Sequence, residues 1–217
     1  LFEDFSGTLG DIGDGCEDIT FMFKRVNINP MTTSKITEYA NKIHDAYPQA
    51  SIELAKHIVT VANDVGADPG ILADLINFES GQTFRADIRN KTVVNGVQAS
   101  ATGLIQFTSS TAKEFGTTTE KLAAMTPENQ MDIYVRKYFV NISKNQKKKL
   151  SLESDLYMAV FQRAAIGKGL DYKFSERVAA WNSSRRVSDY VISVRKYSNL
   201  GPLISERIDY LNCNPVG

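Results

Sequence analysis

Four residues, Gly66-Ala67-Asp68-Pro69, separate two apolar stripes of helical period and so fix where one helix must stop and the next must start. Before them Leu54, Ala55, Ile58, Val59, Ala62 and Val65 share one helical face. Gly66 supplies the left-handed conformation that ends such a helix, and Asp68 followed by Pro69 is a cap and first-turn signal for the next. The second helix carries Leu72, Leu75 and Ile76 inward and runs to Asn77-Phe78-Glu79. Glu79 lies three and four residues beyond Ile76 and Leu75, so an ionisable group continues an apolar stripe.

A carboxyl group held against apolar surface loses solvation of its charged form, and its pKa rises toward the range where it donates a proton near neutrality. The competing reading is an ordinary helix-end Glu, solvated or paired with a cation such as Arg85.

Helical patterning extends through most of the chain. Ser34 is the expected cap of a helix reaching about Ala46, with Pro48 beyond its end. Met131, Tyr134, Val135 and Tyr138 form a stripe after a start at Pro127, and Asn145 to Lys149 is a solvated connection. Leu156 to Phe161 and Ala164 to Ile166 are apolar on more than one face, which predicts a central buried helix. Asn95-Gly96 between β-branched residues predicts a two-residue hairpin within Lys91 to Gln98, because such a turn needs positive φ at both central positions. Residues 1–33 hold four glycines, several acids and no helical period, so they are expected to form an irregular arm, with Ile19 to Phe23 as a short strand or a docked segment. The predicted fold is therefore mainly α with a small β-hairpin (α+β): an arm over 1–33 and a helical domain over 34–217.

The 217 residues suffice for a full core. Twenty-five basic residues balance twenty-five acidic ones, so no overall field favours nucleic acid or an anionic surface. No run of eighteen apolar residues is present, and no membrane span is expected. The chain opens Leu1-Phe2-Glu3-Asp4, without a signal-peptide pattern, and suggests a processed precursor, a fragment or a trimmed chain. Cys16 and Cys213 either close one long loop or remain thiols. His44 and His57 lie on separate predicted helices, so no metal site is expected, and without a Gly-rich phosphate loop neither is a cofactor.

Beyond Glu79 the motifs fall in a telling order. Glu79-Ser80-Gly81-Gln82-Thr83-Phe84 is followed by Ala101-Thr102-Gly103-Leu104-Ile105-Gln106-Phe107, by Ser110-Thr111-Ala112, and by Thr126-Pro127-Glu128-Asn129-Gln130 opening a helix. This set resembles the lytic transglycosylase domain of the goose-lysozyme-like superfamily over roughly residues 50 to 195. The resemblance implies a lysozyme-like fold and cleavage of the β-1,4 bond between N-acetylmuramic acid and N-acetylglucosamine in peptidoglycan. Glu79 would protonate the leaving oxygen and then, as carboxylate, accept the proton of the muramoyl C6 hydroxyl as that oxygen attacks the anomeric carbon, giving a 1,6-anhydromuramoyl end.

The same resemblance makes Gln106 a residue lining the sugar cleft, with Ser80, Gly103, Phe107, Phe161 and Gln162 as further substrate contacts. Many members carry Ala-Tyr-Asn-Ala-Gly where this chain reads Val160-Phe161-Gln162-Arg163-Ala164. The Ala164-Ala165-Ile166-Gly167-Lys168 run that follows looks like a phage-borne variant, which implies a virion or tail protein acting in the bacterial periplasm or cell wall, with residues 1–33 meeting other virion proteins. Trp181-Asn182-Ser183-Ser184 stands where some relatives have an Asn-Pro-Gly turn.

Two alternatives stand beside this reading. A hydrolytic muramidase on the same fold needs a second carboxylate, about 5–5.5 Å away as a nucleophile or about 6.5–9.5 Å away to hold a water. Asp87 is the candidate for it, against an ordinary turn acid. The other is a non-catalytic wall-binding or structural module.

Overall fold

The helices begin where side chains can take over the unpaired backbone N–H groups of a first turn. In the computed structural model, which describes residues 31–90, 93–94, 97–98, 100–181 and 184–204, Thr32 rather than Ser34 caps α1 (Thr33–Ala46), its side chain accepting from Lys35 N. Ser51 caps α2 (Ile52–Val65) through Leu54 N, and Gly66 ends it at φ 74°. Asp68 then caps α3 (Pro69–Glu79) by accepting from the N–H groups of Gly70 and Ile71. The stop and start legible in Gly66 to Pro69 are both present.

The described residues are mainly helical, with little strand. The described residues fall within one compact unit, Ile28–Asp209. The arm expected over 1–33 lies outside the described residues except for its last three, as do Cys16 and Cys213.

α2 is the hub of the first half: α1 packs along it, and α3 crosses beside it. After the β segment come α4 (Ser109–Glu114), α5 (Thr119–Ala123) and a long helix of three parts. That helix starts at Thr126-Pro127 as expected, with Thr126 capping Asn129 N. It runs as α6 (Pro127–Asn129), a π-helical stretch Gln130–Val135, and α7 (Arg136–Asn145). Within it Met131, Val135 and Tyr138 are buried, whereas Tyr134 stays half-buried.

The central buried helix expected from Leu156 onward is α8 (Glu153–Phe161), but it stops earlier than the apolar run. Gln162 leaves the helical region at ψ 88°, a separate 3-10 turn covers Arg163–Ala165, and Ala164 is exposed. α9 (Glu176–Trp181) and α10 (Val187–Arg195) follow, neither set out by the sequence patterns above. α10 packs on α8 and α3, and Arg195 donates from Nε to both oxygens of the buried Glu153 at 2.9 and 3.1 Å.

Most of the strand pairing among the described residues lies in the stretch after α3. Val93 faces Gln98 and Val94 faces Val97 in β1 (Val93–Val94) and β2 (Val97–Gln98), as the hairpin prediction requires; Asn95 and Gly96 lie outside the described residues. Arg89 opposite Thr102 keeps that register, and Thr102 then pairs with Phe107, so the motif 101–107 forms the second turn of a small antiparallel meander.

Gln130 locks this meander to the helices. Wholly buried, it accepts from Leu104 N at 2.8 Å and donates to the carbonyls of Ala86 and Leu122 at 3.1 and 2.9 Å. Its amide lies where a side chain on Gly103 would begin: a Cβ there would stand 2.3 Å from Gln130 Oε1, on a backbone with φ 85°. Gly103→Ala therefore meets both a steric and a conformational barrier, and is expected to lose about 2–4 kcal/mol of stability in urea denaturation.

The segment after α10 lies across α3. Gly70 lets it approach, since a Cβ at that position would be 2.0 Å from the Gly201 carbonyl oxygen. Asp68 accepts from Leu203 N at 3.0 Å, Asp74 accepts from Gly201 N at 2.9 Å and from the hydroxyls of Ser198 and Tyr47, and Asn77 donates to the Tyr197 carbonyl at 2.9 Å. Every residue from Pro69 to Asn77 is buried as a result. The helix emerges only at Phe78 and Glu79.

Candidate active site

Glu79 is the last residue of α3, where a helix buried on all sides first reaches partial exposure. Tyr190, one turn into α10, donates its hydroxyl to Glu79 Oε1. The expected alternative partner, Arg85, instead holds Asp87, with Nε to Oδ1 at 2.8 Å and Nη2 to Oδ2 at 2.6 Å. Among the described residues no cation lies within ion-pair distance of Glu79. Desolvation therefore dominates: burial pushes the Glu79 carboxyl up to about 7, against the opposing pull of the Tyr190 hydrogen bond.

Tyr190 is itself fixed by rings on three sides. Phe161 stacks on it at 4.3 Å, Phe78 meets it edge-on at 5.8 Å, and Tyr157 lies at 6.4 Å. Burial and the neighbouring Glu79 charge push the Tyr190 phenol well above its ordinary pKa, so it remains a donor across the working range. With Oε1 engaged, Oε2 is the atom left to exchange a proton with a ligand.

Tyr190→Phe removes the one bond that favours the charged form of Glu79, so the Glu79 pKa is expected to rise above about 7. An activity that needs protonated Glu79 falls as pH rises through that pKa. In the variant this alkaline fall should move to higher pH, with the plateau rate lowered about tenfold as the acid loses its orientation. A pH–rate profile of both proteins checks the shift.

Burial, with a smaller contribution from the Glu79 charge, pushes the Tyr138 phenol above its ordinary pKa. Its hydroxyl donates to the Ala159 carbonyl at 2.6 Å and accepts from Arg163 Nε at 3.2 Å. Arg163 also covers the Tyr138 ring at 4.9 Å and reaches both oxygens of Glu114 at 2.9 and 3.1 Å. Arg163 thus ties the end of α8 to α4.

The other sequence-derived candidates divide sharply. Phe161 joins the Glu79 cluster through Tyr190. Gln162, at the end of α8 next to it, is half-buried. Ser80 is wholly buried and uses its hydroxyl to accept from Phe84 N at 3.0 Å, which holds a bulky residue at φ 52°. Its hydroxyl thus satisfies local backbone.

Phe107 is buried edge-on to Tyr138 at 5.5 Å, which makes it a core support. Gly103 is buried and its open side faces Gln130, so its missing side chain serves packing. Gln106 is half-buried at φ 52°, and its amide donates to the Gly103 carbonyl at 3.0 Å, bracing the turn that presents it. Asp87 is exposed, and Arg85 holds its carboxyl below the usual range. It is a paired loop acid, and no contact among the described residues joins it to Glu79.

Gln82, Phe84 and Gln106 are three of the four described non-glycine residues with positive φ, and they border the two motif halves. Such strained positions collect where a surface is shaped for a ligand. No group of three or more His, Cys, Asp or Glu among the described residues is arranged to hold a metal ion. No membrane-crossing helix occurs among them either.

Tyr190 is the residue that sequence reasoning missed. It is 111 positions from Glu79 in the chain, and its only local sign is the stripe Val187, Tyr190, Val191, Val194, which marks a buried face but not what that face meets. Asn182 and Ser183, from the expected turn, lie outside the described residues. No family model, curated protein or solved structure matches this chain.

Proposed function

We propose that this chain is a peptidoglycan-cleaving lytic transglycosylase of lysozyme-like fold, in which Glu79 serves as the single acid and base. The observation that carries the reading is the Glu79 carboxyl, raised to about 7 by burial at the exposed end of a core helix and bonded to a neutral phenol. A pKa near neutrality suits both steps: protonated Glu79 gives its proton to the leaving glycosidic oxygen, and ionised Glu79 takes one from the muramoyl C6 hydroxyl. Because the substrate supplies the nucleophile, a second carboxylate is not required, and Asp87 is engaged with Arg85. The ordered motifs from Glu79 to Gln130 support the same assignment.

The Ala164 to Lys168 run supports a setting in a phage particle, where the enzyme would open the wall locally from the virion or tail, and residues 1–33 would meet its neighbours there. Digestion of purified peptidoglycan followed by mass spectrometry of the released muropeptides tests the function. Anhydromuramoyl ends, each one water lighter than a reducing end, are the expected product. Reducing ends would make the protein a muramidase, and no release would leave a wall-binding module.

A further inference from the structure

A second cluster stands at the far end of the aromatic chain that begins at Glu79. Phe161, stacked on Tyr190, meets Phe174 at 5.2 Å, and Phe174 meets the exposed Tyr172 at 6.3 Å. Phe174 floors a surface groove whose other walls are Lys173, Glu176, Ala179, Arg185 and Arg186. A short antiparallel pairing sets those cations: Phe174 N donates to the Arg185 carbonyl at 2.9 Å, and Lys173 pairs with Arg186.

The charge is locally one-sided in a chain that is neutral as a whole. From Arg163 to Arg186 six basic residues accompany only Asp171 and Glu176. Arg186 faces Asp171 at 3.6 Å, whereas Lys173 and Arg185, both exposed, have no ion pair among the described residues. Asp189, the nearest acid in sequence to Arg185, spends Oδ2 on the backbone N–H groups of Arg185 and Arg186, as the cap of α10. Two uncommitted cations over an aromatic floor match a ligand with carboxylates beside an amphipathic body.

Resting on the function proposed above, we infer that this groove holds the peptide stem of the muramoyl residue through its free carboxylates, with Lys173 and Arg185 as the specificity-determining residues. A glycan strand lying at Glu79 carries such a stem on each intact muramoyl lactyl group, and the ring contacts connect the groove to the Glu79 site.

The test uses the full chain carrying Glu79→Gln, so that ligands persist, and measures binding of muramoyl-containing tetrasaccharides by calorimetry with and without peptide stems. The stem-bearing ligand should bind at least about tenfold more tightly, and Lys173→Gln with Arg185→Gln should abolish that difference while leaving stem-free binding and the melting temperature unchanged. Stem-free binding without any preference for stems, or a preference that survives both substitutions, would overturn the groove's role alone. Equal gain from a poly(glycerol phosphate) chain would replace peptide recognition with general anion binding and overturn it too. Failure of both tetrasaccharides to bind would overturn the glycan reading together with this one.

Discussion

Glu79→Gln should lower the proposed peptidoglycan cleavage by about 10³-fold or more, because in that reaction one side chain would supply both proton transfers and the amide supplies neither. The same substitution should stabilise the fold. Glu79 titrates near 4.5 when unfolded and near 7 when folded, so the folded state binds the proton more tightly. The cost of keeping an ionised carboxyl there is absent below about pH 4.5, grows as pH rises, and is complete above pH 7 at about 3 kcal/mol. Urea denaturation of wild type and variant at pH 5 and pH 8 checks this, with the variant's advantage expected to be several times larger at pH 8 than at pH 5. A Glu serving only as a solvated helix end would show neither the rate loss nor the pH-dependent gain.

Asp74→Ala should be the most damaging substitution for stability. The Asp74 carboxylate is 1% exposed and accepts from Tyr47, Ser198 and Gly201 N. It joins the end of α1, the middle of α3 and the segment 198–201 at one point. Burial pushes its pKa up while those donors pull it down. Alanine leaves the buried Tyr47 hydroxyl and the half-buried Ser198 hydroxyl and Gly201 N–H without their acceptor, at an expected cost of about 3–5 kcal/mol by denaturant unfolding. Asp74→Asn retains an acceptor oxygen and should cost less. Since Asn77 and Phe78 on the same helix contact Tyr197, loosening this segment also frees the helix end that carries Glu79.

Local chemistry made much of this fold legible. Gly66, Asp68 and Pro69 act within a few residues of themselves, so the stop of α2 and the start of α3 follow from sequence, as does the pairing about Asn95-Gly96. Ser34 yielded to Thr32 because both residues suit a cap and only backbone geometry chooses between them. The early end of α8 is equally hidden, since Ala164 and Ala165 are good helix formers and Gln162 carries no breaker.

At the site, Glu79 was legible because an ionisable group continues an apolar stripe, and Phe161 because of its place in a motif. Ser80, Gly103 and Phe107 occupy motif positions whose visible work is to shape the turns and core behind Glu79. Tyr190 and Asp74 act through partners 27 or more residues away, and Gln130 meets the motif loop through Leu104, 26 residues away, where neither periodicity nor spacing carries information.

The proton-donor role assigned to Glu79 is tested most directly by a carbon-13 NMR titration of its side-chain carboxyl in the intact protein, assigned by its loss in Glu79→Gln. The carboxyl is predicted to titrate at about 7, well above an ordinary Glu. A midpoint near 4.5 would show a solvated acid and contradict the account.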